Sequence, residues 1–130
     1  MKKRHFADNY IINPMHPLTV NVIGAGGTGC QVVTALARIN CALQGLGHTG
    51  LDVTVYDDDI VTMANLGRQL FMVSEVGANK ADVLVTRINR FFDFEWEAVL
   101  YCARPPLCGR WGCISVLLGR RSDMWPFLRL

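Results

Sequence analysis

The sequence predicts an α/β fold built on a parallel β-sheet, and three features of the chain carry that prediction. Two short runs, Leu18 to Ile23 and Leu51 to Tyr56, have the length and the β-branched composition of buried strands. Each run is followed by a stretch with the helical spacing of apolar residues. A glycine cluster joins the first run directly to its helix. Strands that alternate with helices are expected to pair in parallel, because the helix returns the chain across the sheet.

Length, charge and composition exclude several classes of protein. The chain has 130 residues, which suits one domain, and its net charge of +2 is too small to indicate a nucleic-acid-binding protein. No apolar run reaches the roughly 18–20 residues of a membrane span, and no signal peptide follows the basic N-terminus. We therefore expect a cytoplasmic protein that binds neither nucleic acid nor membrane, with its five cysteines as thiols. Because none of the cysteines forms a C-x-x-C pair, no metal site is predicted from them.

The glycine cluster after the first strand has the G-x-G-x-x-G spacing of a phosphate-binding turn. Gly24 can make the tight turn out of the strand, and Gly26 lets a phosphate approach the backbone because no Cβ stands in the way. Gly29 lets the following helix pack closely. The helix N-terminus then offers free N–H groups to an anion. Glycine clusters also form ordinary loops, but a position between strand and helix favours a nucleotide-binding βαβ unit, the start of a Rossmann-like fold.

The first helix is predicted from Thr28 to residues 44–47, where glycine supplies a C-terminal cap. Its apolar face follows helical spacing and consists of Val32, Val33, Leu36, Ala37, Ile39 and Leu43. Cys30 and Cys41 fall within this helix and are interpreted as packing residues.

The second strand ends in three consecutive acids, Asp57, Asp58 and Asp59. A carboxylate at the end of the second strand is where a dinucleotide-binding fold meets the ribose hydroxyls, which makes Asp57 the candidate ribose ligand. A solvated acidic turn is the alternative interpretation. Three adjacent carboxylates repel one another, however, so a turn without a ligand or cation would gain nothing from having all three.

A second helix is predicted around Lys80, and residues 95–101 form a possible third strand. The apolar face of this helix consists of Ala81, Leu84, Val85, Ile88, Phe91 and Phe92. Lys80 falls in the first turn, where a cation opposes the helix dipole. A bound polyanion would explain this lysine better than packing would.

Four groups of residues carry a family resemblance. They are Gly24-x-Gly26-Gly27-x-Gly29, Asp57-x-Asp59, Asn65-x-x-Arg68-Gln69 and Gly77-x-x-Lys80. Together they resemble the ThiF, MoeB and ubiquitin-activating family of adenylating enzymes. The sequences of three longer stretches, residues 56–59, 64–71 and 86–92, are similar to those of ThiF-family proteins of the bacterial PRTRC gene system. The resemblance covers about residues 8–99.

That resemblance implies adenylation of a carboxylate. The C-terminus of a ubiquitin-like or sulfur-carrier protein would attack the α-phosphate of ATP, and pyrophosphate would leave. The resemblance also implies ATP and Mg²⁺ as cofactors, the carrier protein as partner, and a possible homodimer.

The resemblance further implies a role for each matched residue. Gly24, Gly26, Gly27 and Gly29 would hold the phosphates, with Asp57 at the ribose and Asp59 as a supporting acid. Arg68 and Lys80 would be the catalytic cations that neutralise the phosphates and the departing pyrophosphate. Asn65 and Gln69 would be neutral hydrogen-bonding partners in the same loop.

The sequence departs from the family in its second half. Family members carry a later aspartate that helps to hold Mg²⁺, but no D-x-x-D-N stretch occurs here, and no cysteine aligns with the catalytic cysteine of conjugating members. Residues 101–130 mix arginine, cysteine, tryptophan, glycine and proline without periodicity, and only residues 113–118 resemble a strand. Such composition is typical of out-of-frame coding and favours a truncated or frameshifted gene over a divergent native tail.

We therefore expect an N-terminal segment (1–17), a Rossmann-like ATP-binding domain (18–100) that is incomplete relative to the family, and an atypical tail (101–130). Two other functions stay open. An NAD-dependent oxidoreductase half-domain would share the glycines and Asp57 but gives no role to Arg68 and Lys80. A nucleotide- or protein-binding fragment without turnover is the second alternative, motivated by the missing magnesium aspartate. Little or no turnover is expected of the 130-residue chain itself.

Overall fold

The computed structural model describes residues 9–100 and 115–119. Their helices and strands are α1 (Asn9–Ile12), β1 (Leu18–Ile23), α2 (Gly27–Gly45), β2 (Leu51–Tyr56), α3 (Lys80–Phe92), β3 (Glu97–Val99) and β4 (Ser115–Gly119). Two short 3-10 turns, Met63–Asn65 and Val73–Glu75, lie in the segment between β2 and α3. No helix in these two ranges is long and apolar enough to cross a membrane.

The four strands form one sheet in the order β3-β2-β1-β4. β1 and β2 pair in parallel from Leu18 opposite Leu51 to Ile23 opposite Tyr56, and β3 pairs in parallel with the other edge of β2. The predicted α/β fold with two neighbouring parallel strands is thereby confirmed, since α2 is the crossover that parallel pairing requires.

β3, β2 and β1 form the predicted parallel sheet, and β4 adds an antiparallel strand at the free edge of β1, which the sequence did not predict. The prediction rested on helical crossovers, whereas an antiparallel neighbour needs none. The strand suspected within residues 113–118 is present as Ser115–Gly119. It joins the sheet of the preceding domain although it lies in the tail that was expected to be atypical. The rest of that tail and residues 1–8 of the N-terminal segment lie outside the described residues.

The hydrophobic core lies between the sheet and the helices α2 and α3. The strands supply Val20, Val22, Val53 and Val55, and the helices supply Cys30, Val33, Ala37, Ala81, Leu84, Val85 and Ile88. Each predicted apolar helix face includes one residue that does not belong to the core, because Ile39 is 49% exposed and Phe91 is 79% exposed. Buried Asn40 takes the place next to Ile39, and its Oδ1 accepts a hydrogen bond from the Leu51 N–H at 2.7 Å.

The C-terminus of α2 ends as predicted. The helix stops at Gly45, and Gly47 adopts a φ of 81°, a left-handed conformation that a side chain disfavours. The N–H of Gly47 donates to the carbonyl of Gln44, which satisfies one of the last helical acceptors. Cys41 is exposed, so the interpretation as a packing residue holds for Cys30 only.

Candidate nucleotide-binding site

The turn between β1 and α2 is open to an anion on the side of the helix N-terminus. Gly24 has a φ of 98°, which suits glycine and reverses the chain after the strand. Gly26 is the N-cap of α2 and has no side chain, so the N–H groups of the first turn have no capping side chain. A Cβ on Gly26 would have nothing within 4 Å. The backbone at Gly26 is therefore open on the side where a side chain would otherwise stand.

Gly29 and Gly27 are required by packing contacts. A Cβ on Gly29 would lie 1.9 Å from the carbonyl oxygen of Gly24, so the helix rests directly on the turn that precedes it. The sequence predicted a close approach to the sheet, and the close contact is with this turn. At Gly27 the nearest atom to a Cβ would be the carbonyl oxygen of Arg68, at 3.4 Å. The segment that carries Arg68 therefore lies against the start of α2.

Asp57 connects this turn to the acidic loop after β2. The side chain is buried at the C-terminal edge of the sheet. Its Oδ2 accepts a hydrogen bond from the N–H of Ala25, inside the glycine turn, and its Oδ1 accepts one from the N–H of Asp59 at 2.8 Å. An ionised carboxylate has about four acceptor positions, so these two bonds leave capacity for further donors. Hydroxyl groups of a ribose are donors of this kind.

Lys80 and Asp59 form an ion pair at the same edge. The buried Nζ of Lys80 lies 2.7 Å from Oδ2 of Asp59, and the backbone N–H of Lys80 donates to the carbonyl of Asp59 at 3.0 Å. Lys80 and Asp59 therefore have a structural partner in each other, which the sequence analysis did not anticipate. The Asp59 side chain is 68% exposed, so the pair is open to solvent on the side of the acid.

The three acids lie close enough together to suggest a cation, with ligand atoms within 4.8 Å of one another. Both oxygens of Asp57 already accept backbone hydrogen bonds, and Asp59 is paired with Lys80. A divalent cation would have to displace the lysine and would keep only exposed Asp58 as an uncommitted acid. These donors fit Mg²⁺ poorly, since Mg²⁺ demands near-octahedral oxygen ligands.

The loop residues predicted at the site have different surroundings. Asn65 is buried, and its Oδ1 accepts hydrogen bonds from the N–H and the hydroxyl of Thr62 at 2.8 and 2.9 Å. The carbonyl of Asn65 accepts from the N–H groups of Arg68 and Gln69. The Arg68 side chain is exposed, whereas the buried Oε1 of Gln69 has no hydrogen-bond partner among residues 9–100 and 115–119. Asn65 therefore shapes the loop that presents the other two residues.

Asn79 is a site residue that the sequence analysis missed. As the N-cap of α3, its Oδ1 accepts from the N–H groups of Ala81 and Asp82 at 2.9 and 3.2 Å. Its Nδ2 donates to the carbonyl of Asp57 at 2.9 Å. One side chain thus fixes the start of α3, and Lys80 with it, to the end of β2. An asparagine directly before a helical pattern is a capping signal that could have identified it.

Replacing Asn79 by Ala is expected to lower the free energy of unfolding by about 1–2 kcal/mol, because α3 loses its cap and Asp57 loses a donor. Asn79→Asp is the matched control. It keeps the capping acceptor and loses only the Nδ2 donor, so its loss should be smaller. Urea denaturation followed by circular dichroism measures both variants, and an equal loss in the two would contradict the capping role.

The fold and this edge of the sheet define a Rossmann-like α/β domain whose glycine turn and strand-end acid lie together. The sequence model of the ThiF family matches residues 13–99, and the chain belongs to that family.

Named relatives agree with this assignment. The chain is 32% identical over 94 residues to the ATP-dependent ubiquitin transferase-like protein Cap2 of Enterobacter hormaechei subsp. hoffmannii, a match that covers 72% of this chain and 14% of that protein. It is 41% identical over 71 residues to the NEDD8-activating enzyme E1 catalytic subunit of Dictyostelium discoideum, covering 54% and 14%. The chain therefore spans about one seventh of these two relatives.

A solved structure is also similar. The tRNA N6-threonylcarbamoyladenosine dehydratase TcdA of E. coli, in complex with ATP, superposes with a TM-score of 0.56 at 30% identity, covering 68% of this chain and 33% of that one. The family and the fold class predicted from the sequence are thus confirmed, and the oxidoreductase alternative is not favoured. The roles of the individual site residues stay predictions.

Proposed function

We propose that this chain supplies the ATP-binding part of an enzyme that adenylates the C-terminal carboxylate of a ubiquitin-like or sulfur-carrier protein. The observation that carries the proposal is the hydrogen bond from Ala25, inside the glycine turn, to Asp57 at the end of β2. It joins the proposed phosphate and ribose positions in one unit. The names of the relatives support the reaction class, among them an adenylyltransferase and sulfurtransferase, UBA4, of Eremothecium gossypii. A cytoplasmic location, a homodimer and a PRTRC context belong to the proposal as well.

Binding of ATP would use the backbone of the glycine turn and one carboxylate. The N–H groups at the start of α2 would donate to the phosphates, where Gly26 leaves room for them. Asp57 would accept hydrogen bonds from the ribose while it keeps Ala25 and Asp59 in place. Because the same carboxylate holds the turn and meets the sugar, the protein arranges both parts of the site before the nucleotide binds.

The chemical step would move negative charge onto the leaving pyrophosphate. A carboxylate oxygen of the carrier forms a bond to the α-phosphorus, the bond from that phosphorus to the bridging oxygen breaks, and the electron pair leaves with pyrophosphate. Arg68 and Lys80 would stabilise this charge, since fixed cations act most strongly where charge develops in the transition state. Lys80 is already held by Asp59, so little side-chain entropy would remain to be lost. No part of this step is assigned to a metal held by Asp57, Asp58 and Asp59, because these three acids fit Mg²⁺ poorly.

Calorimetry followed by pyrophosphate exchange tests the proposal. We expect the chain to bind ATP and not NAD, and we expect a full-length relative to exchange labelled pyrophosphate into ATP only when a carrier protein is supplied. Binding of NAD without ATP would contradict the proposal. Binding of ATP without exchange, under any carrier tested, would support the alternative of a binding protein without turnover.

Asp57→Ala is expected to weaken ATP binding by roughly 10–100-fold, the range for losing a hydrogen bond to a charged group. Inorganic triphosphate should be affected less, because it has no ribose. Some loss is expected even there, since the N–H of Ala25 loses its acceptor. Asp57→Asn keeps one acceptor oxygen and should be intermediate. Equal losses for ATP and triphosphate, measured by calorimetry, would contradict the placement of the ribose at Asp57.

A further inference from the structure

Arg87 lies on α3, outside the set of residues predicted at the site, yet it binds the segment that carries Arg68. Its Nη1 donates to the carbonyl oxygen of Leu70 at 2.7 Å. Its Nη2 donates to both carboxylate oxygens of Glu75, at 2.5 and 2.6 Å. The two side chains are 35% and 14% exposed, so this ion pair is better shielded from water than a surface pair. The guanidinium of Arg87 therefore binds this segment at two positions, Leu70 and Glu75.

Glu75 also binds the backbone of this segment at a position closer to Arg68. Its Oε2 also accepts a hydrogen bond from the N–H of Met72 at 2.7 Å. The bonds of Arg87 and Glu75 thus hold the backbone at Leu70 and Met72 and fix the side chain of Glu75. Charge-assisted hydrogen bonds are stronger than neutral ones, so the contacts fix the path of the chain immediately after Arg68 and Gln69.

Cys30 of α2 lies near the backbone of Leu70, and its thiol contacts the glycine turn. Burial raises the pKa of the Cys30 thiol, while the backbone N–H of Leu70 and the charge of Arg87 act in the opposite direction. The protonated thiol donates to the carbonyl oxygen of Ala25 at 3.0 Å. Arg87 of α3 therefore bonds to Leu70, and Cys30 of α2 bonds to the glycine turn close by.

We infer that Arg87 is a positioning residue for the nucleotide site. By fixing Leu70 and Glu75, it holds Arg68 against the start of α2, where the Arg68 carbonyl lies 3.4 Å from a Cβ position on Gly27. The inference rests on the proposed function, and it assigns to Arg87 no contact with the nucleotide. Its whole effect on ATP passes through Arg68.

The geometry explains why this position carries an arginine. The planar guanidinium presents separate donors to a carbonyl and to a carboxylate at once, whereas the ammonium of a lysine is a single point of attachment. Arg87→Lys should therefore keep the charge but lose either the bond to Leu70 or the ion pair with Glu75.

A double-mutant cycle tests the inference by calorimetry with ATP and with AMP. We expect Arg87→Ala to weaken ATP binding on the order of tenfold, the low end for losing a hydrogen bond to a charged group. AMP lacks the phosphates that Arg68 would contact, so its affinity should not change. In an Arg68→Ala background, Arg87→Ala should cause no further loss of ATP affinity. Arg90→Ala, at an exposed position on the same helix, is the control and should bind ATP like the wild type.

An equal loss of ATP affinity in both backgrounds, or an equal loss for AMP, would overturn the inference and leave Arg87 a structural residue. Glu75→Gln breaks the same ion pair and replaces Arg87→Ala if that variant fails to fold. Hydrogen exchange of residues 66–76 tests, without any nucleotide, whether the bonds of Arg87 order this segment. Faster exchange in the variant is expected, and unchanged exchange would overturn the inference even if ATP binds. Failure of the wild type to bind ATP would overturn the proposed function, and the assigned role of Arg87 with it.

Discussion

Gly26→Val is expected to abolish ATP binding and to leave the fold unchanged. A Cβ at this residue has nothing within 4 Å, and the backbone there is extended, so a side chain meets no obstacle at its Cβ and needs no unusual backbone conformation. It would, however, occupy the space through which a phosphate reaches the N–H groups of α2. Losing several hydrogen bonds to a charged group should weaken binding by more than about 100-fold.

Substitutions at two glycines within α2 serve as controls for this result. Gly45→Val, at the opposite end of the helix, also has open space at its Cβ and should bind ATP normally. Gly29→Ala should destabilise the protein instead, because its Cβ would meet the carbonyl oxygen of Gly24. Calorimetry gives the affinities, and thermal unfolding separates the two kinds of defect. ATP affinity in Gly26→Val equal to that of the wild type would refute the position of the phosphates.

The parts of this fold that follow from local sequence were predictable. β1 and β2 have the predicted bounds, because runs of β-branched residues bounded by turn signals specify buried strands directly. The glycine turn and the position of Asp57 at the end of β2 were predictable for the same reason, since spacing along the chain defines them. The antiparallel pairing of β4 was not predictable, because strand orientation at a sheet edge depends on tertiary structure.

The contacts that arrange the candidate site were not predictable from spacing. The ion pair of Lys80 with Asp59 joins residues on either side of a long loop, and the bond from Ala25 to Asp57 crosses from one strand end to the next. Arg87 is absent from the apolar face that sequence periodicity predicts for α3, and periodicity gave no reason to connect this residue with Leu70. Such side-chain bonds depend on how the loop folds back, which hydrophobic periodicity does not encode.

These contacts change how the candidate site is understood. Ala25, Asp57, Asp59 and Lys80 form one chain of hydrogen bonds from the glycine turn to the start of α3. The catalytic lysine that the resemblance implies is therefore paired before any phosphate is present. A phosphate would have to compete with Asp59 for this ammonium or share it.

Loss of either proposed catalytic cation is expected to slow adenylation by roughly 10²–10³-fold, the scale for removing one preorganised donor to developing charge. Arg68→Ala removes an exposed side chain and should leave the free energy of unfolding almost unchanged. Lys80 is buried, so Lys80→Met is the better variant, because it keeps the volume and removes the charge. Carrier-dependent pyrophosphate exchange in a full-length relative with the equivalent substitutions is the measurement.

Asp59→Asn distinguishes a catalytic lysine from a structural one. If Lys80 served only to pair with Asp59, removing the charge of either partner would have the same effect on exchange. If Lys80 stabilises the departing pyrophosphate, Lys80→Met should slow exchange much more than Asp59→Asn, because the lysine could then contact the phosphates without its acid. Because the Asp59 side chain is 68% exposed, an asparagine there remains solvated and should not disturb the fold, so the comparison reports on the charge alone. Equal losses in the two variants would show that the ion pair is structural and would leave Arg68 as the candidate cation to be tested alone.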